Sequence, residues 1–138
     1  AVVNLLDPPL DITGNLLEWN VKQKKLVADQ PVTVVHRTEQ ITLTADKGRM
    51  EFEPKIAYFD GNARAVGQKN QSQLTADHLN WDIKTQQVNA EGNVVYVQPD
   101  PPATLKGPRA VGKLQDQTVV VSGGRVETQI VPQGVKLP

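Results

Sequence analysis

Two histidines and a recurring set of carboxylates are the side chains in this 138-residue sequence with the most chemistry to offer. His36 and His78 stand alone, with no second histidine or cysteine at the spacing a metal site requires, so both read as surface residues. Asp46 and Asp77 lie 31 residues apart, and Asp29, Asp60 and Glu91 follow the same step. Two carboxylates held at fixed separation in a cleft would be glycosidase machinery. A catalytic pair is normally unique, however, whereas these positions recur from unit to unit, which fits a turn or cross-strand role better. Gly-x-Ser-x-Gly, phosphate-loop and His-Glu-x-x-His patterns are absent. No enzymatic activity and no cofactor or metal are expected.

The elements carrying these residues follow from the same 31-residue step. Leu43-Thr44-Ala45-Asp46 returns unchanged as Leu74-Thr75-Ala76-Asp77, and Gly61-Asn62 returns as Gly92-Asn93. A period of this size means one supersecondary unit used several times. Extended to both flanks it gives four copies, near 12–42, 43–73, 74–104 and 105–131. Asp46 and Asp77 become Asn15 and Pro108 in the outer copies, while the apolar slot persists as Ile12, Leu43, Leu74 and Leu105. The motif therefore marks strand register rather than a reactive group.

Within the third copy, Val88, Ala90, Gly92, Val94 and Tyr96 alternate with polar neighbours, the period of a strand with one apolar face. Leu26, Ala28, Val32 and Val34 keep this phase in the first copy, Phe59 and Ala63 in the second, and Val119 and Val121 in the fourth. The first strand of each copy changes parity: Leu74 and Ala76 share one face, Leu79, Trp81 and Ile83 the other. A bulge or corner between Asp77 and Leu79 brings both sets to one side. Gly61-Asn62 and Gly92-Asn93 mark a bulge or bend in the second strands. Polar turns at 22–24, 53–55, 84–86 and 115–117 join the strands of a copy, and longer connectors such as 67–73 and 98–104 join copies. About eight strands are predicted, with partial ones at the ends and no helix of three turns.

Composition agrees with an all-β domain. Aromatics are 4% of the residues, so the core is built from Val, Leu, Ile and Ala. Fifteen basic residues balance fifteen acidic ones, which gives no reason to expect a nucleic-acid partner. There is no cysteine, hence no disulfide and no thiolate chemistry. No apolar run reaches the length of a membrane helix. The first residues read as the end of an earlier unit, so the single domain 1–138 is expected to be a piece of a longer chain.

Trp19, Met50 and Trp81 share one repeat column, filled by Gly112 in the fourth copy. Together with the strand faces they define a candidate apolar site: Trp19, Leu26, Ala28, Met50, Phe52, Phe59, Ala63, Leu79, Trp81, Ile83, Val88, Val94, Tyr96, Val119 and Val121. These residues are either a packed core or the wall of a groove for a long apolar ligand. In the fourth copy Gly107, Gly112, Gly123 and Gly124 replace larger residues, which predicts a thinner, more open end.

Leu-Thr-Ala-Asp, an aromatic or Met seven residues after the Leu, a polar turn and then Ala-Glu-Gly-Asn-Val resembles the OstA-like repeats of the lipopolysaccharide transport proteins LptA and LptC. Residues 74–97 carry the likeness best and 43–66 well. The resemblance implies a twisted, open, V-shaped β-jellyroll in the periplasm, without enzymatic activity. It implies lipopolysaccharide as partner, held by its lipid A acyl chains, and end-to-end docking through edge strands with other jellyroll domains, copies of itself included. Two departures from the family are the lack of an N-terminal membrane helix and the neutral charge. The chain is either a soluble LptA-like link or a domain cut from an LptC-like chain tethered to the inner membrane by a segment not in this sequence. The alternative is a structural or adhesive β-solenoid, each 31-residue unit forming one rung around a filled interior.

Overall fold

The computed structural model describes residues 1–6, 9–68, 71–113, 118–122 and 127–130. Thirteen strands form one sheet: β1 (Val2–Asn4), β2 (Leu10–Gly14), β3 (Glu18–Asn20), β4 (Lys25–Ala28), β5 (Val32–His36), β6 (Ile41–Ala45), β7 (Lys47–Glu51), β8 (Ile56–Gly67), β9 (Ser72–Asp82), β10 (Gln87–Pro99), β11 (Pro102–Lys113), β12 (Thr118–Ser122) and β13 (Glu127–Ile130). No helix occurs among the described residues.

The strands reduce to eight passes of the chain. β2 and β3 make one pass interrupted midway, as do β4 with β5, β6 with β7, and β12 with β13, whereas β8 to β11 cross unbroken. Every pass pairs antiparallel with the next, and β1 adds a partial strand beside β2. The eight strands expected from four copies are thus present. The solenoid alternative is overturned, because a rung needs parallel neighbours and each 31-residue unit here is an antiparallel pair. The connectors are shorter than the sequence suggested: β8 runs to Gly67 and β9 starts at Ser72, while Pro99 pairs with Pro102 to close the β10–β11 hairpin. Prolines are tolerated there because a turn needs no ladder hydrogen bond from their nitrogen.

Each pass is creased in the middle, and the crease is written in residue types. Asp60 faces His78 and Ala63 faces Ala76, so Gly61 and Asn62 together oppose the single residue Asp77. That is a bulge of two residues against one. Both carry positive φ, 84° and 46°, and Gly92 and Asn93 repeat the values at 83° and 49°. The Asp of each repeat motif braces the bulge of its own copy: Asn62 Nδ2 donates to Asp46 Oδ2 at 2.9 Å, and Asn93 Nδ2 donates to Asp77 Oδ2 at 3.0 Å. The backbone N–H of Asp46 also donates to the Gly61 carbonyl at 2.9 Å. The extra residue therefore sits in the second strand of each copy. In the first strand the change of parity is the pair Asp77 and His78, both exposed between buried Ala76 and Leu79.

The creases fold the sheet into two arms. Arm one holds β1, β2, β5, β6, β13 and the adjoining halves of β8 to β11; arm two holds β3, β4, β7, β12 and the other halves. The arms face one another, and the core lies between them. His36 of arm one meets Trp81 of arm two with ring centroids 5.8 Å apart.

Candidate functional site

The register carries the apolar column of the sequence across arm two. Trp19 pairs with Leu26, Leu26 with Met50, Met50 with Ala57, Ala57 with Trp81, Trp81 with Val88, Val88 with Gly112, and Gly112 with Val119. A second row beside it runs Ala28, Gly48, Phe59, Leu79, Ala90, Ala110 and Val121. Arm one answers with Ile12, Val34, Leu43, Ala65, Leu74, Tyr96 and Leu105. Unbroken rows are possible because a constant 31-residue step keeps the same face inward in every copy.

Leu26, Ala28, Met50, Phe59, Ala63, Leu79, Trp81, Ile83, Val88, Val94 and Tyr96 are all buried between the arms. Ala63, Val94 and Tyr96 belong to arm one and the rest to arm two. Phe52, Val119 and Val121 are half-buried and pack against this core. Trp19 is 47% exposed and lies at the N-terminal edge, its ring 4.9 Å from that of Phe52. The arm-one wall of Leu10, Ile12, Val32, Val34, Ile41, Leu43, Ala45, Leu74 and Ala76 was not among the candidate residues, although it is equally buried. Its signal was legible: these positions alternate in step with their strands.

In the middle copies the interior is filled by side chains. A small apolar cavity of about 20 Å³ remains between Ile12, Val32 and Val34 on one arm and Leu26, Met50 and Phe59 on the other. Toward both ends the packing loosens. Leu16, Trp19 and Val21 are exposed at the N-terminal edge, while Leu105, Val119 and Val121 are only half-covered at the other. Gly112 adds no side chain to the row between Val88 and Val119; Gly123, Gly124 and the turn 115–117 lie outside the described residues.

The polar residues divide along the same axis. Asp29, Asp46, Asp60, Asp77 and Glu91 are exposed at the crease, where Asp60 Oδ1 lies 2.8 Å from His78 Nδ1. Lys22, Lys24, Lys55 and Lys84 gather in the turns at the free tip of arm two. Lys24 Nζ donates to Glu53 Oε1 at 2.7 Å and holds that carboxyl below its ordinary range. A chain neutral in sum thus has a basic rim and an acidic crease.

His78 is a surface residue as expected, but His36 is not: it is 4% exposed. It shares the inward phase of Val32 and Val34 at the end of β5, and its Nδ1 accepts from the Glu39 N–H at 3.1 Å. Burial lowers its pKa from the ordinary 6.5, with Arg37 acting in the same direction and Glu39 opposing. Among the described residues no three His, Asp or Glu side chains gather where a metal could be held, and no helix is long and apolar enough to cross a membrane. What the arrangement offers is an apolar interior between two hinged walls.

Comparison with known proteins agrees with this geometry. The structure is similar to that of LptH from Pseudomonas aeruginosa, described as the LptA homologous periplasmic component of the lipopolysaccharide transport device, with a TM-score of 0.76 and 17% identity over 92% of this chain and 96% of that one. That likeness establishes the jellyroll fold. No curated protein matches the sequence. The family model described as "Lipopolysaccharide-assembly, LptC-related" matches residues 9–130, nearly the whole chain, and the protein therefore belongs to that family.

Proposed function

We propose that this domain shields the acyl chains of lipopolysaccharide between its two arms while the lipid crosses the periplasm, and that it docks end to end with other jellyroll domains. The observation that carries this reading is the continuous apolar row from Trp19 to Val119, which runs through all eight passes without a charged residue. Strands about 4.8 Å apart make such a row roughly 34 Å long, sufficient for an extended acyl chain. Burying each methylene is worth about 0.8 kcal/mol, so ten carbons gain about 8 kcal/mol gross. The domain performs no chemistry on its cargo in this reading.

Docking uses the sheet's two ends. β3 pairs only with β4, and β12 only with β11, which leaves each a free edge among the described residues. An unpaired edge accepts a further strand from a neighbouring protein. Exposed Trp19 and Val21 beside the first edge favour an apolar partner surface there.

Photocrosslinking tests the cargo. A photoreactive residue at Phe59, Trp81 or Tyr96 is expected to label added lipopolysaccharide. Labelling confined to outward positions such as Glu91 would refute the shielding role.

A further inference from the structure

We infer that the mouth of the V is a binding site for a phosphomonoester on a sugar, seated over His36 and Gln86 between Lys55 and Lys84. This rests on the shielding role proposed above and adds the polar half of the ligand. A cleft of about 330 Å³ spans the free tips of the two arms, with His36, Thr38 and Glu39 on one side and Lys55, Lys84 and Gln86 on the other. That is the size range of small-molecule sites. It opens where any lipid lying between the arms would leave its headgroup.

The lining carries donors and acceptors that the fold itself leaves unused. Nδ1 of His36 accepts from the Glu39 amide, which places the imidazole proton on Nε2 and makes that atom the donor of the ring. Gln86 Oε1 is buried with no partner among the described residues; behind the lining, Nε1 of Trp81, whose ring lies against His36, likewise has none among them. Buried polar atoms are rarely left unpaired unless something else satisfies them. Phosphate oxygens suit the His36 donor and the ammonium groups; a sugar hydroxyl suits the Gln86 oxygen.

Charge favours the anion. Lys55 and Lys84 make no ion pair among the described residues, whereas Lys24 is already joined to Glu53. Glu39 is the single carboxylate of the lining among the described residues, against two ammonium groups. Glu53 and Asp82 lie in or beside the turns that carry Lys55 and Lys84, but both are already engaged: Glu53 with Lys24, and Asp82 Oδ1 with the backbone N–H groups of Lys84 and Thr85 at 3.1 and 3.2 Å.

The test compares bis-phosphorylated lipid A with fully dephosphorylated lipid A, binding to the wild-type chain and to K55Q/K84Q. The phosphorylated form is expected to bind about tenfold more tightly to the wild type, and the double variant to lose that ratio while still binding the dephosphorylated form. Equal affinity for the two forms, or a ratio untouched by K55Q/K84Q, overturns the site and leaves the shielding role intact. Binding of neither lipid refutes the shielding role instead. In that event glucosamine 1-phosphate decides: shifts of the His36 ring resonances, absent with glucosamine, assign the site to a free sugar phosphate, and no shift overturns it.

Discussion

Gly92→Ala is expected to unfasten the crease at its tightest point. A Cβ on residue 92 would stand 2.5 Å from Asp77 Oδ2, 2.9 Å from its Cβ and 3.0 Å from its Cγ, at a φ of 83°. Holding an L-residue at positive φ costs about 1 kcal/mol. Turning the Asp77 carboxylate aside forfeits its bond to Asn93, worth about 1 kcal/mol. The Cβ clash cannot be relieved by a rotamer change and requires a backbone shift, about 1 kcal/mol more. The sum is about 3 kcal/mol, or a midpoint lower by roughly 10 °C for a domain of this size. Urea unfolding of Gly92→Ala, Asp77→Gly and the double variant forms a cycle in which the intrinsic cost of the new glycine cancels. With Asp77 reduced to glycine all three close approaches vanish, so Gly92→Ala should then cost only the roughly 1 kcal/mol of its φ. The same cost in both backgrounds would refute the claim that Asp77 and Gly92 fit against each other to set the crease. Gly61 offers an internal control, because its Cβ would meet Asp46 at 2.9, 3.1 and 3.3 Å. Gly61→Ala should therefore cost less than Gly92→Ala.

Trp81→Ala should destabilise by about 3 to 5 kcal/mol, since the indole is fully buried between the arms, with calorimetry as the check. Trp81→Phe should cost far less, because the indole N–H it removes has no partner among the described residues. His36 makes stability depend on pH with a definite sign. Its folded-state pKa lies below the 6.5 of the unfolded chain, so the unfolded state binds the proton more readily. Stability is then full above pH 6.5 and falls as the pH drops below it; His36→Gln should flatten the difference in urea midpoint between pH 7.5 and 5.5.

Most of the architecture was legible because one number, the 31-residue step, fixes strand phase in every copy. The Gly-Asn pairs announced a bulge, and the parity change between Ala76 and Leu79 announced a corner at the same level of the sheet. Which strand held the extra residue was not readable, since parity alone cannot say which of two partners is longer. A lone histidine without metal-binding companions reads as a surface residue, whereas the phase of His36 with Val32 and Val34 places it inward. The basic rim was hidden by summing charges over the chain: lysines in turns and carboxylates at the crease cancel in a total although they sit at opposite ends of the arms. Arm one stands out less in the sequence than arm two. Its small residues, such as Ala45, Ala65 and Ala76, draw less notice than tryptophans but close the interior just as fully.

The filled interior sets terms for any lipid that enters. An acyl chain cannot simply add its packing to what is present, because Trp81, Leu79 and Phe59 already pack on one another and on the facing arm. It has to displace the packing of arm on arm, so the net affinity is a difference, and each increment of about 1.4 kcal/mol needed to part the arms weakens binding tenfold. Such displacement favours a carrier that releases its cargo, and equal stations in a row give no direction without an external drive. It also fixes where entry starts. The middle copies are closed, whereas Trp19 at one end and Val119 at the other are already partly open. Photocrosslinkers at Trp19 or Val119 should therefore label added lipopolysaccharide before one at Trp81 does, in a series quenched at increasing times. Labelling at Trp81 as early as at the ends would mean that the arms part along their whole length at once, and that the loosened ends have no part in admitting the chain.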